Sequence, residues 1–307
     1  MRFNKLDMNL LAALDILLKT RSVTRAAEEM FITQSAMSNA LGRLRTFFDD
    51  PLLVQVGRAM ELSPLAQTLQ GPVRDIMMRV ESATRIRPAF DPLTDSAVFN
   101  VVISDYSLSV LGAGLSRVVS DQAPNIQLNL RPQHARPSVL LERGEADLLI
   151  VPDYLSNAEH EGQILYEDDL VVLVASDGPH AGVPMTRERF CAARHVLMEP
   201  FTGQDSYSAV VMREAGVTPV KVLSTYSFSS IPALIRGTDR VALIQHRLVA
   251  PELARGGLAI KPAPFDFAPL RQSICWQAHR SRDPGLRWLR EKIIDCARAA
   301  PVPAPVA

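Results

Sequence analysis

The sequence is poor in cysteine and carries no excess of either charge. Cys191, Cys275 and Cys296 are odd in number and widely spaced, and no C-x-x-C pair occurs. That argues against a disulfide framework and against a cysteine zinc site, and leaves reduced thiols. The 33 basic residues balance 33 acidic ones, so the molecule is no polycation and would hold nucleic acid only at a local site. The catalytic signatures G-x-S-x-G, H-E-x-x-H and G-x-x-x-x-G-K-S/T are missing. Gly112-Ala113-Gly114 lacks the third glycine of a dinucleotide loop, because position 117 is Arg. His134, His160, His180, His195, His246 and His279 show no helical metal spacing. Neither an enzyme nor a cofactor or metal is expected. The opening MRFNKLDMNLLAALDILLKT has no continuous apolar run. Its Leu10, Leu11, Leu14, Leu17 and Leu18 form one helix face, with Asp15 and Lys19 elsewhere. Neither a signal peptide nor a membrane partner is expected, and the location implied is cytoplasmic.

What is present is a patterned chain of 307 residues, 47% apolar, enough for two or three domains with proper cores. Its most informative stretch is SVTRAAEEMFITQSAMSNALGRLR, residues 22–45. Val23, Ala26, Ala27 and Met30 recur at the spacing of one helix face, and Met37, Ala40, Leu41 and Leu44 repeat the pattern. Ser22 and Thr33 are suitable N-caps for the two helices. The second helix turns Gln34, Ser35, Ser38, Asn39, Arg43 and Arg45 away from its apolar stripe, all able to reach base edges or phosphates. This is the layout of a helix-turn-helix DNA reader. Gln34 can pair bidentately with adenine, and Arg43 or Arg45 with guanine or phosphate. Thr33 can contact phosphate, and Arg25 sits on the preceding helix. Leu53–Val56, Gly57-Arg58 and Ala59–Leu62 read as a hairpin wing with Arg58 at its tip beside phosphate.

Ser63-Pro64 starts a further helix, to about Arg87, with Leu69, Val73, Ile76, Met77 and Val80 on one side and a kink or restart at Pro72. That stripe either packs on its own chain or pairs with a second copy; readers of two half-sites favour pairing. After a linker at 87–92, strands near 98–104, 126–131, 147–151, 169–175, 195–198, 220–224, 241–245, 258–262 and 272–276 alternate with helices. The helical patterns fall near 105–120, 136–144, 187–193, 204–215, 229–236 and 284–299. Such alternation indicates an α/β region with a largely parallel sheet. The tail PVPAPVA, 301–307, reads as disordered by composition.

Taken together, these segments closely resemble the LysR-type transcriptional regulators. The residues that carry the resemblance are LDMNLLAALDILLKTRSVTRAAEEMFITQSAMSNALGRLR, GEADLLIV, FSSIPALIRGTDRVALIQHRL and DPGLRWLRE, which run from one end of the chain almost to the other. Within the family, GRLRTFFDDPLLVQVGRAMELSP looks most like the branch of the nodulation regulator NodD and the naphthalene/salicylate regulator NahR, with a LinR-like regulator a similar relative. One departure is Pro64-Leu65-Ala66, where the family usually has Ala-Gly after the proline.

The resemblance implies an N-terminal all-α winged helix-turn-helix domain (1–63) and a linker or dimerisation helix (64–90). It further implies an effector domain (91–300) built like a periplasmic binding protein. Its α/β subdomains would be 91–165 with 267–300, and 166–266, with a small molecule in the cleft. Family cleft positions fall on Ser104, Asp105, Pro152, Asp153, Phe201, Thr202, Gly203, Ser227, Phe228, Gln245 and His246. Phe201, Tyr226 and Phe228 suit an aromatic ligand. The helix after Ser229 could receive a carboxylate at its N-terminal amides, whereas Asp105 and Asp153 disfavour a strongly anionic one. The implied partners are promoter DNA, an aromatic effector, RNA polymerase and further copies of the chain, as homodimer or homotetramer, with activation of catabolic or related genes. A solute-binding protein with an accessory helical domain is the alternative, disfavoured by residues 22–45 and by the absence of an export signal.

Overall fold

The computed structural model describes residues 6–57, 59–84, 89–133, 135–157, 160–200 and 203–302. Arg58, Arg87, Pro88, His134, Phe201, Thr202 and the tail 303–307 lie outside the described residues. The chain divides into two compact units, 1–87 with 142–145, and 88–141 with 146–307.

In the first unit, α1 (Met8–Thr20), α2 (Val23–Glu29) and α3 (Gln34–Phe48) each begin on a side chain that takes up an orphan amide. Asp7 Oδ1 accepts from Leu10 N at 2.8 Å, Ser22 Oγ from Arg25 N at 3.3 Å and Thr33 Oγ1 from Ala36 N at 3.2 Å. The wing forms as expected: β1 (Leu53–Val56) and β2 (Ala59–Leu62) pair antiparallel and turn at Gly57, where φ is 62°. Leu10, Leu14, Leu17, Met37, Leu41 and Leu44 share one core with Leu53 and Leu62 of the wing.

Two features of α4 (Pro64–Thr84) correct the sequence reading. It runs through Pro72 as one helix, without a break. The residue before the proline is Gly71, which has no Cβ to clash with the ring. Leu69 and Val73 do not form part of an open dimerisation face either: both pack into the core of this unit, and Gln70 Nε2 donates to Leu18 O at 3.0 Å. The amphipathic stripe is spent on α1 in its first half. Beyond it, Ile76 is exposed, and Met77 and Val80 are half-buried.

The second unit alternates strands and helices: β3 (Ala97–Ile103), α5 (Asp105–Gln122), β4 (Ile126–Pro132), α6 (Pro137–Glu142), β5 (Leu148–Pro152), β6 (Glu161–Asp168), β7 (Leu170–Ala175), α7 (Arg187–Ala192) and β8 (Arg194–Met198). It continues with α8 (Tyr207–Glu214), β9 (Val220–Thr225), α9 (Ile231–Ile235), β10 (Arg240–Gln245), α10 (His246–Leu253), β11 (Leu258–Pro262), β12 (Leu270–Trp276) and α11 (Pro284–Ala299). Two five-stranded sheets result, ordered β4-β3-β5-β12-β6 and β11-β7-β10-β8-β9. The chain crosses from one to the other after Asp168, rather than at 165, and returns between Pro262 and Leu270.

The sheets are mixed, not largely parallel. β3 lies parallel to β4 and β5, and β8 parallel to β9 and β10. β12 runs antiparallel to β5 and β6, and β7 antiparallel to β10 and β11. The antiparallel pairs are made by the strands beside the crossings, which enter without the crossover helix that a parallel neighbour requires. β6 and α10 were not expected: EGQILYED lacks a strong apolar run, and HRLVAPEL contains Pro251. β5 and β7 are buried along their whole length, as the helix-covered interior of an α/β sheet demands.

The turn between α2 and α3 stores strain. Phe31 sits at φ 53° and is 97% exposed, so it occupies the left-handed region and buries nothing in return. That conformation costs a non-glycine residue about 1–2 kcal/mol. Phe31→Gly is expected to raise the unfolding free energy by about 0.5–1 kcal/mol, once the added freedom of the unfolded chain is subtracted. Urea denaturation of the full chain measures it.

Candidate functional site

The helix pair of the first unit offers a polar face. Gln34, Ser35, Ser38, Asn39 and Arg43 are exposed on α3, while Met37, Leu41 and Leu44 are buried. Thr33 is exposed as well, with its hydroxyl engaged as the cap. Arg43 Nη2 lies 3.2 Å from Asp7 Oδ2, both side chains being open to solvent. The Leu10 amide, and secondly Arg43, hold the Asp7 carboxyl below its ordinary range. An exposed pair of this kind is worth little, and a phosphate can replace the carboxylate.

Two of the expected arginines, both exposed, also bond carbonyl groups within this unit. Arg45 donates from Nε to Pro51 O at 2.8 Å and from Nη2 to Leu53 O at 3.0 Å, anchoring the first strand of the wing to α3. Arg25 Nη2 donates to Thr20 O at 2.7 Å. A guanidinium carries five N–H donors, so these bonds leave others on each side chain free to meet a phosphate. Arg58 lies outside the described residues.

In the second unit a cavity of about 470 Å³ lies between the two sheets, within the range of small-molecule sites. The ends of β3, β5, β8 and β10 open on it, the usual place for a ligand in α/β sheets. Of the expected residues, Ser104, Asp105, Pro152, Ser227, Phe228 and Gln245 line it. Asp153, Gly203 and His246 do not. Asp153 Oδ1 instead accepts from Ser273 Oγ at 2.8 Å, and Arg271 stands 3.6 Å from its other oxygen. His246 is buried at the start of α10, where loss of solvent lowers its pKa, and Gly203 is exposed. Phe201 and Thr202 lie outside the described residues.

Aromatic rings meet across the cleft. Tyr154, from the loop after β5, stacks on Tyr207 at the start of α8, with centroids 5.9 Å apart and planes 24° from parallel. Tyr106 meets Phe228 edge-on at 6.3 Å. Burial first, and then the neighbouring Tyr207, push the Tyr154 hydroxyl up to about 12. Just ahead of the helix expected to receive an outside carboxylate, Asp105 Oδ2 accepts from Ser227 Oγ at 2.8 Å and from Ser229 N at 3.1 Å. Among the described residues no Lys, Arg or His lines the cavity.

Tyr154, Tyr207, Met198 and Gln272 line the cavity without having been singled out. Tyr154 stands two residues beyond Pro152, and Tyr207 directly follows the helix cap Ser206, so reading on past each strand end finds both. Gln272 lies within β12, and nothing but the sheet order places it there.

Comparison with known proteins agrees with this architecture. Residues 8–67 match the bacterial regulatory helix-turn-helix protein, lysR family, and residues 97–296 match the LysR substrate binding domain. The chain belongs to the LysR family of transcriptional regulators. Nodulation protein D of Bradyrhizobium sp. (strain ANU 289) is 31% identical over 296 residues, covering 96% of this chain and 88% of the relative. Nodulation protein D 2 of Rhizobium leguminosarum bv. phaseoli is 31% identical over 301 residues, covering 96% and 93%. A probable transcriptional regulator of Pseudomonas aeruginosa shares the fold, with a TM-score of 0.64 at 24% identity over 98% of this chain and 99% of that one. These matches leave the solute-binding alternative without support. As a LysR-type regulator, the chain couples a DNA-binding helix-turn-helix to an effector-binding domain. Among the described residues no helix is long and apolar enough to cross a membrane.

At the first crossing between the sheets of this LysR-type chain, Asp168 Oδ2 accepts from Tyr106 Oη at 2.6 Å, and its carboxylate accepts from Arg247 N at 3.2 Å. Burial outweighs these bonds and raises the carboxyl from 3.8 to about 6. The folded state therefore binds this proton more tightly than the unfolded chain does, and stability falls as pH rises from about 4 through 6. Asp168→Asn keeps an acceptor for Tyr106 but cannot ionise. Its melting temperature relative to the unaltered protein is expected to rise steadily between pH 4 and 7, as differential scanning fluorimetry would show.

Proposed function

We propose that this regulator activates genes for the turnover of an aromatic compound, in the cytoplasm, when that compound fills the cavity between the two sheets. The observation that carries the reading is the cavity itself: about 470 Å³, with Tyr106, Tyr154, Tyr207, Tyr226 and Phe228 in its lining. Flat rings of the ligand find flat partners there, and burial of apolar surface supplies the affinity. Residues 1–63 read promoter DNA through Gln34, Ser35, Ser38, Asn39 and Arg43 of α3. Residues 64–90 pair two copies through Ile76, Met77 and Val80, as homodimers or in homotetramers, and 91–300 hold the effector. The effector binds two shapes of the assembly with different affinity, which shifts their populations and alters contact with RNA polymerase. Relatives called nodulation protein D support a regulatory role within a bacterial gene programme.

Two measurements test the DNA half. Gln34→Ala is expected to weaken binding to sites selected from the genome by about 5- to 100-fold and to relax preference at one base position, the share of one bidentate contact. Unchanged affinity and preference in footprinting would remove α3 as the reader. Ile76→Glu places a charge in the proposed pairing face and is expected to lower the mass found by sedimentation equilibrium towards that of one chain.

A further inference from the structure

The turn between α2 and α3 carries a residue that the fold alone does not ask for. Two backbone bonds close this turn, from Phe31 N to Glu28 O at 3.1 Å and from Ile32 N to Ala27 O at 3.0 Å. Bonds in this pattern end a helix through one residue in the left-handed region, a place that glycine ordinarily takes because it has no Cβ. Here Phe31 takes it, at φ 53°. Its ring is 97% exposed, and Ile32 beside it is 39% exposed. A ring left in water and a backbone held in a costly region are separate penalties, and both fall on one side chain. Strain of this kind gathers where a side chain serves a partner rather than the fold.

The position of Phe31 says which partner. It stands two residues ahead of Thr33, the cap of α3, and residues 31–36 are exposed without interruption into Gln34 and Ser35. In a helix-turn-helix the first residues of the second helix meet the base edges, so the residue leading into them travels with them to the major groove. A phenyl ring gives a phosphate neither charge nor hydrogen bond. What the groove does offer it is the C5 methyl group of thymine, the apolar mark among the donors and acceptors displayed there.

We propose that Phe31 is a further specificity-determining residue for DNA, packing its ring on the methyl group of one thymine in the recognised site. The strained turn fixes the direction of the Cα–Cβ bond before DNA arrives, so that less freedom is lost on binding. This role rests on the reading of α3 as the DNA reader.

The test uses a duplex selected from genomic DNA by the unaltered full chain, titrated by fluorescence anisotropy with Phe31→Ala, Phe31→Gly and, as the reference for α3, Gln34→Ala. Both variants of Phe31 are expected to bind about 5- to 20-fold more weakly, Phe31→Gly in spite of its greater stability. No charge is lost, so the slope of log affinity against log salt should stay the same. Replacing the thymines one at a time by deoxyuridine removes only the methyl group. At one position this should cost the unaltered chain about fourfold and Phe31→Ala nothing. Unchanged affinity, a flatter salt slope, or uracil effects equal in the two proteins would overturn the inference. A lower mass of DNA-free Phe31→Ala in sedimentation equilibrium would overturn it too, by assigning the ring to a second copy of the chain. If Gln34→Ala weakens binding and the Phe31 variants do not, the reading of α3 stands and this inference alone falls; if none of them does, both fall. Should Phe31→Ala fail to fold, Phe31→Gly carries the same comparisons in a chain relieved of the strain.

Discussion

The second unit depends on a chain that must cross twice between two sheets. The first crossing is tied by one buried carboxylate: Asp168 ends β6, takes the Tyr106 hydroxyl from the first half, and takes the Arg247 amide from the second. Burial makes its ionised form costly, and two donors from opposite halves partly offset that cost. The same fastening brings Tyr106 beside Phe228 and so sets one wall of the cavity. Because strands beside the crossings enter antiparallel, the parallel strands on either side point their ends at a common space. The cavity is thus a consequence of topology before it is a consequence of any side chain.

A second constraint acts within the cleft. The halves are joined across it by polar and aromatic contacts, chiefly Asp105 with Ser227 and Ser229, and Tyr154 on Tyr207. Such contacts are individually modest and separable, unlike the continuous apolar packing behind the sheets. A ligand between the rings and near the clasp competes directly with the interactions that hold the halves in one arrangement. Differential binding to two arrangements is what a regulator requires, and these groups are where it would be generated.

The reading helix was largely legible because its signals are local. Ser22 and Thr33 cap helices whose apolar residues recur at helical spacing, and both the turn and the hairpin wing follow within a few residues. The carbonyl contacts of Arg25 and Arg45 were not legible, because a cationic side chain on a polar face looks the same in sequence whether or not it also bonds a neighbouring carbonyl. In α4, Leu69 and Val73 show the right apolar period, but period alone does not say whether the partner is α1 or another copy. β6 and α10 escaped because one lacks a marked run and the other carries a proline, so local preference gave way to tertiary packing.

The sequence by itself determined the helix-turn-helix, the wing, the alternation of strands and helices, and which strand ends could face a ligand. Those follow from periodicity, capping and turn residues acting over a few positions. Only the tertiary structure decided that Gln272 shares a space with Gln245, that Tyr154 stacks on Tyr207, and that Asp105 takes the Ser227 hydroxyl and the Ser229 amide. Each of these joins residues far apart in the chain, through the crossing of strands from one sheet to the other. Spacing along the sequence holds no record of that crossing.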